Sequence, residues 1–171
     1  VYPPGGDVIG RRRLDTHFYG LQKLGATVTI NGHYDFVMNG PLTGAEMFFD
    51  EPSVTGTEHV LMAAVVSQGQ TLMRNAACEP HVQEFCAFLT QMGTRLSGVG
   101  GSAIGVEGVP SLNGVEFTFA DDFHEVATFL AMAAITGGDI AVRNGAVDQF
   151  PLLDRTFAKF GVQVVHEGGW S

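Results

Sequence analysis

The chain repeats itself, and the period of the repeat limits what it can fold into. Leu21-Gln22-Lys23-Leu24-Gly25, Leu89-Thr90-Gln91-Met92-Gly93 and Phe157-Ala158-Lys159-Phe160-Gly161 share one pattern: two large apolar residues three apart, closed by glycine. The closing glycines give 93 − 25 = 68 and 161 − 93 = 68. A second echo links Gly69-Gln70-Thr71-Leu72-Met73-Arg74-Asn75 to Gly138-Asp139-Ile140-Ala141-Val142-Arg143-Asn144, and 138 − 69 = 69. Two independent matches at nearly one period point to a supersecondary unit used several times, each copy burying its apolar face against the next.

The middle copy reads as follows. Glu46-Met47-Phe48-Phe49 predicts a strand. Ser53-Val54-Thr55-Gly56-Thr57 opens a helix, and the stretch Thr57–Ser67 is apolar nearly all round, which predicts burial. Gly69 closes it, and Thr71-Leu72-Met73 is the next strand. Val82, Phe85, Cys86, Leu89 and Met92 then follow helical spacing along one face, ending at Gly93. Strands follow around Thr94-Arg95-Leu96 and Ile104-Gly105-Val106. The order is βαβαββ over about 68 residues, which places the chain in the α/β class. In the last copy, Val115-Glu116-Phe117-Thr118-Phe119 predicts a strand. Asp122 and Glu125 have capping-box spacing, and Glu125–Thr136 reads as a second buried helix closed by Gly137-Gly138. Phe150, Leu153, Phe157 and Phe160 mark an amphipathic helix, and Val162-Gln163-Val164-Val165 a strand. The first copy keeps only the helix marked by Leu14, Phe18, Leu21 and Leu24, then a strand at Thr27-Val28-Thr29-Ile30. A chain that starts at Val1 and stops at Ser171, both inside repeats, is expected to be part of a longer protein.

Charge and composition exclude several classes. Nine basic residues stand against 18 acidic ones, a net charge of −9, which argues against nucleic acid or an anionic bilayer as partner. Hydrophobic residues make up 45% and charged ones 16%, enough for a substantial core. No apolar run is long enough to span a bilayer, and no secretory signal opens the chain. The six histidines show no zinc spacing, so no metal is expected. Cys78 and Cys86 lie about two helical turns apart, too far for a disulfide, and read as small core residues of a cytoplasmic protein.

Three places carry residues suited to chemistry. Pro4-Gly5-Gly6-Asp7-Val8-Ile9-Gly10 is a glycine-rich loop with a carboxylic acid at its tip, followed by Arg11-Arg12-Arg13 and Asp15. That combination suits an anionic substrate needing a proton donor, and equally a surface turn with a solvated charge run. Ser53 to Thr57 presents hydroxyls and N–H groups at the positive end of a helix dipole; it is a phosphate cradle or an ordinary cap. Asp122 has the same two readings. Gly98-Val99-Gly100-Gly101-Ser102 lacks the third glycine of a dinucleotide loop and leads into a strand.

These residues also match a family. Pro4-Gly5-Gly6-Asp7-x-Ile9-Gly10-x-Arg12-x-x-Asp15 and Gly20-Leu21-x-x-Leu24-Gly25-Ala26 resemble the enolpyruvyl transferases that act on UDP-N-acetylglucosamine. So do Pro52-Ser53-Val54-x-Gly56-Thr57-Glu58, Asn75-Ala76-Ala77-x-Glu79-Pro80, Glu107-Gly108-Val109, Asp122-x-x-Glu125-x-x-Thr128-Phe129 and Ala133-Ala134-Ile135-Thr136-Gly137-Gly138. The resemblance runs in order along essentially the whole chain. It implies an inside-out α/β barrel of repeated βαβαββ units. Residues 1–120 would belong to the first domain, with one partial and one complete repeat, and 121–171 would begin the second.

The resemblance also implies a reaction. Phosphoenolpyruvate is protonated at its methylene carbon, the sugar 3-hydroxyl adds to the adjacent carbon, and phosphate leaves, with no cofactor. This is the first committed step of peptidoglycan synthesis, in the cytoplasm. It implies Asp7 as proton donor where most members carry cysteine, the residue that fosfomycin alkylates. Arg12, Arg13, Leu14, Asp15 and Thr16 match the uridine-binding segment, with Arg13 where proline is usual. Glu51, Pro52, Ser53 and Val54 match the diphosphate side, with Glu51 where lysine is common. Glu79 and Asp122 are further candidates. Other catalytic parts of the family fall outside these 171 residues, so turnover is expected to need the rest of the parent chain. The alternatives are the shikimate-pathway enolpyruvyl transferase and a non-catalytic nucleotide-sugar-binding module.

Overall fold

The computed structural model describes residues 1–2, 13–143 and 147–171. Its elements follow the period of the sequence. Helix α1 (Asp15–Lys23) leads into strands β1 (Ala26–Ile30) and β2 (Tyr34–Met38). Then come β3 (Glu46–Phe48), α2 (Val54–Ala64), β4 (Gln70–Arg74), α3 (Pro80–Gln91), β5 (Arg95–Ser97) and β6 (Ala103–Glu107). Helices α4 (Phe123–Thr136) and α5 (Pro151–Lys159) complete the chain. From β3 to β6 the order is βαβαββ, as the repeat predicts. Adding 68 to α1 gives 83–91, inside α3, and adding 68 again gives 151–159, the bounds of α5. The three closing glycines share a backbone state: φ is 104° at Gly25, 104° at Gly93 and 78° at Gly161. That left-handed turn stops each helix, and a side chain there would be strained.

The described chain packs as two compact units, Val1–Phe117 and Thr118–Ser171. In the first, a four-stranded sheet has the order β3-β4-β6-β5, with β3 parallel to β4 and the other pairs antiparallel. Alternation puts Met47, Thr71, Met73, Ile104 and Val106 on its buried face. The other face carries exposed ion pairs, Arg74–Glu46 at 2.7 Å and Arg95–Glu107 at 3.0 Å. Helix α2 fills the core with Val60, Leu61 and Ala64, joined by Val82, Cys86 and Leu89 of α3. Each fully buried side chain of this size contributes about 1.5–3 kcal/mol. The expected buried helix is therefore present, but it ends at Ala64 rather than Ser67, and Gly69 turns the chain into β4 instead of capping the helix. Cys86 is buried; Cys78, expected in the core, is exposed on the loop before α3. Strands β1 and β2 form a separate antiparallel hairpin, whose second strand was not anticipated.

The second unit departs further from expectation. Its buried apolar residues are Val126, Leu130 and Phe150. Asp122 caps α4 as expected, accepting N–H bonds from His124 and Glu125. Yet α4 is not buried along its length: Phe129, Met132 and Ile135 are 45%, 49% and 86% exposed. A helix apolar all round needs neighbours on every side, and this unit of 54 residues supplies them on one. Phe160, assigned to the packing stripe of α5, is 80% exposed. The stretches 115–119 (straddling the boundary between the units in sequence) and 162–165 alternate like strands but form none, and among the described residues no strand pairs with either. The end of the chain is tied down by side chains instead. His166 contacts Ser171 Oγ at 2.7 Å and the Asp154 carboxylate at 3.0 Å, with its ring edge-on to Phe150. Ser171 is buried and its backbone pairs in both directions with Val142, so this trio reads as a structural tie.

Candidate substrate-binding site

Two of the sequence-predicted segments come together where α1 meets α2. The helices approach closely because each offers a glycine at the crossing. A Cβ added to Gly20 would run into the Val60 side chain. One added to Gly56 would lie 2.8 Å from Thr16 Cγ2 and 3.0 Å from Ser53 Oγ. Thr16 and Gly20 are one turn apart on α1, as are Gly56 and Val60 on α2, so the two faces interlock. This sets Arg13–Thr16, at the start of α1, beside Ser53–Thr55, at the start of α2.

Side chains bridge the crossing. His17 Nε2 lies 3.4 Å from Thr55 Oγ1, and His17 Nδ1 lies 3.0 Å from His59 Nδ1. One ring must donate its Nδ1–H and the other accept it, which suits two neutral imidazoles. Burial depresses the pKa of both, and for His17 the neighbouring His59 adds to the effect. Arg13 is exposed and bonds Asp15 at 2.6 Å. That hydrogen bond and the Asp15 charge raise its pKa, and the charges of Glu51 and Asp50 act in the same direction. The electrostatic reach of Glu51 to Arg13 is a second sign that the segments adjoin.

The start of α2 is ordered from within. Ser53 is its N-cap: the hydroxyl accepts the Gly56 N–H at 3.1 Å, and the carbonyl accepts the Thr57 N–H at 2.9 Å. A capped eleven-residue helix presents the positive end of its dipole here, a favourable place for anionic oxygens. Leu14 is the N-cap of α1 with no side-chain cap bond, and Thr16 is buried. Glu51 and Pro52 are exposed; Val54 packs partly against the core. Glu79 is exposed at the N-cap of α3 and makes no side-chain cap bond. Asp122 belongs to the other compact unit. Asp7 and Arg12 lie outside the described residues. Among the described residues no group of three or more His, Cys, Asp or Glu side chains is placed to hold a metal, and no helix is long and apolar enough to cross a membrane.

Thr55 falls within the Ser53–Thr57 cradle read from sequence, whereas His17 and His59 were passed over as members of this site. The signal available was the pairing of small residues, Thr16/Gly20 and Gly56/Val60, at one-turn spacing on two helices.

A family model for EPSP synthase (3-phosphoshikimate 1-carboxyvinyltransferase) matches residues 1–170. The chain belongs to that family. Within it, the UDP-N-acetylglucosamine 1-carboxyvinyltransferase of Treponema pallidum (strain Nichols) is 48% identical over 160 residues, covering 94% of this chain and 37% of the relative. The protein of the same name from Borreliella burgdorferi is 43% identical over 164 residues, 96% of this chain and 38% of the relative. The chain thus spans under two fifths of the length of these enolpyruvyl transferases. Among solved structures, the enolpyruvyl transferase NikO from Streptomyces tendae superposes with a TM-score of 0.80 at 19% identity, over 92% of this chain and 41% of that one. EPSP synthase from Acinetobacter baumannii gives 0.61 at 22% identity, over 78% and 31%. These likenesses establish the α/β fold of the enolpyruvyl transferase type.

Proposed function

We propose that the protein containing this chain transfers enolpyruvyl from phosphoenolpyruvate to the 3-hydroxyl of UDP-N-acetylglucosamine, releasing phosphate, in the cytoplasmic route to peptidoglycan. The observation that carries the reading is the identity of 41–48% to UDP-N-acetylglucosamine 1-carboxyvinyltransferases across 94–99% of the chain. The juxtaposition at the α1–α2 crossing supports it. Arg12 to Thr16 hold the uridine, and Glu51 to Val54 the diphosphate side at the α2 N-terminus. Asp7 delivers a proton to the methylene carbon of phosphoenolpyruvate as the sugar hydroxyl, giving up its own proton to a base in the remainder of the protein, adds to the neighbouring carbon. The resulting tetrahedral adduct loses phosphate and a proton to restore the enol ether. Glu79 and Asp122 are further contacts. Residues 1–120 belong to the first domain of the whole protein and 121–171 to the second. Catalysis requires the remainder of that protein.

A carboxylate attacks an epoxide far less readily than a thiolate, yet its protonated form can serve as a general acid. The full-length gene product is therefore expected to release phosphate from phosphoenolpyruvate with UDP-N-acetylglucosamine as acceptor, and to do so in the presence of fosfomycin. Asp7→Asn should abolish turnover, and Asp7→Cys should bring fosfomycin inhibition. Turnover with 3-phosphoshikimate instead would assign the protein to the shikimate-pathway reaction; binding of the sugar nucleotide without turnover would make it a binding module.

A further inference from the structure

The Glu51–Val54 segment is exposed at Glu51 and Pro52, and its residues 51–53 lie outside any strand or helix, with Ser53 capping α2 and Val54 opening it. Its shape is nonetheless fixed at both ends, and both fixings come from the turn after β4. At the entrance, Asn75 Nδ2 donates to the Phe49 carbonyl at 2.8 Å. At the exit, the Ala77 N–H donates to Thr57 Oγ1 at 3.0 Å, and the Thr57 hydroxyl donates to the Ser53 carbonyl at 2.8 Å. Thr57 is fully buried and Ala77 is 1% exposed, so the bond between them has no water to replace it. The Ala76 N–H donates to the Ser102 carbonyl at 3.0 Å, which anchors the same turn to the loop before β6. Asn75 reaches this position with φ of 56°, the one non-glycine residue with positive φ among the described residues. Asparagine tolerates that state better than most side chains.

We propose that Thr57 and Asn75 are positioning residues for the Glu51–Val54 segment: together they set the path of residues 50–53 and the aim of the α2 N-terminus at the substrate. Neither touches the ligand in this scheme. Thr57 acts through the Ser53 carbonyl and Asn75 through the Phe49 carbonyl. The inference rests on the functional reading above. It adds a location for the energy: the sugar-nucleotide side of the site should loosen while the phosphoenolpyruvate side does not.

The test uses the full-length gene product and three variants. Thr57→Val keeps the shape and removes both hydroxyl bonds. Thr57→Ser keeps the hydroxyl. Asn75→Gly keeps the positive φ and removes the amide donor. Thr57→Val and Asn75→Gly are each expected to raise KM for UDP-N-acetylglucosamine by about 5- to 10-fold, the effect of one buried hydrogen bond. The KM for phosphoenolpyruvate and the kcat should stay within about twofold of wild type, and Thr57→Ser should restore the sugar-nucleotide KM. A merely structural role would lower active protein without splitting the two KM values. Wild-type turnover with unchanged KM for the sugar nucleotide in both Thr57→Val and Asn75→Gly, or equal rises in both KM values, overturns the inference alone. If Thr57→Val does not fold, Asn75→Gly decides by the same split. No turnover of UDP-N-acetylglucosamine by the wild type overturns the functional reading and the inference with it.

Discussion

Gly20 sits mid-helix in α1, where glycine is a poor helix former, so its place must be justified by packing. Replacing it with alanine should gain about 0.5–1 kcal/mol from backbone entropy. Against that, the new methyl meets the Val60 side chain inside the core, where Val60 is fully buried. Overpacking of this kind costs about 1–3 kcal/mol. The net is a loss of about 0.5–2 kcal/mol, or a fall in Tm of about 2–6 °C for a chain of this size. Val60→Ala alone deletes two buried methyl groups and leaves a cavity, a loss of about 2–3 kcal/mol. In the double variant the alanine methyl at 20 occupies space vacated at 60. The combined loss should fall short of the sum by about 1 kcal/mol. Thermal and urea unfolding followed by circular dichroism measure all four corners of the cycle. A Gly20→Ala variant more stable than wild type, or a strictly additive cycle, would show that α1 and α2 are not interlocked and would remove the basis for bringing the two candidate segments together.

Three further outcomes follow from the same geometry. Cys86 is 1% exposed and its thiol pKa is pushed up to about 11 by burial and by the charge of Glu58, so a thiol reagent near neutral pH should label Cys78 alone in the native chain and both cysteines in denaturant. His17 and His59 have folded pKa values below the ordinary histidine value, so the unfolded chain binds more protons as pH falls through that window; their contribution to stability is complete above about pH 6.5 and is lost on acidification. A smaller drop in Tm between about pH 7.5 and 5.5 in the double variant His17→Asn/His59→Asn than in wild type checks this. In the purified chain, amide hydrogens of α4 and α5 should exchange faster than those of β4, α2 and β6, since their unit buries three apolar side chains among the described residues, and Asp122→Ala should speed exchange in α4 further by loss of a cap worth about 1 kcal/mol.

The repeat was legible because it is written three ways at once: apolar spacing, a closing glycine and a following alternation. Those signals are local, and the helices and caps they imply are local structures. Ser53 and Asp122 could be assigned as N-caps from sequence because a cap needs only its own next turn. Strands are different, since each needs a partner. Val115–Phe119 and Val162–Val165 alternate as well as Gln70–Arg74 does, but only the last has neighbours on both sides. Conversely, β2 was missed although Asn31-Gly32 stands between it and β1, with Gly32 at φ 72°, a turn signal between two paired strands. The all-round apolar character of α4 was read as burial along its length; within this unit Phe129, Met132 and Ile135 stay exposed, because burial needs neighbours that a local signal does not specify.

The candidate site was legible as two segments and not as one place. Nothing local in Arg13–Thr16 or Glu51–Val54 says that they adjoin. That follows from Gly20 against Val60 and Thr16 against Gly56, contacts between residues 40 apart in each case. The resemblance supplied the roles, and the helix crossing supplied a physical reason for those roles to share a ligand.

The claim that most needs testing is that both segments close on the same molecule. Hydrogen exchange of the full-length gene product, with and without UDP-N-acetylglucosamine, measures it directly. The account predicts slowed exchange in peptides covering residues 13–17 and 51–56 together, over one ligand titration with one midpoint. Slowing in one segment only, or in neither while the nucleotide sugar binds elsewhere, would contradict it.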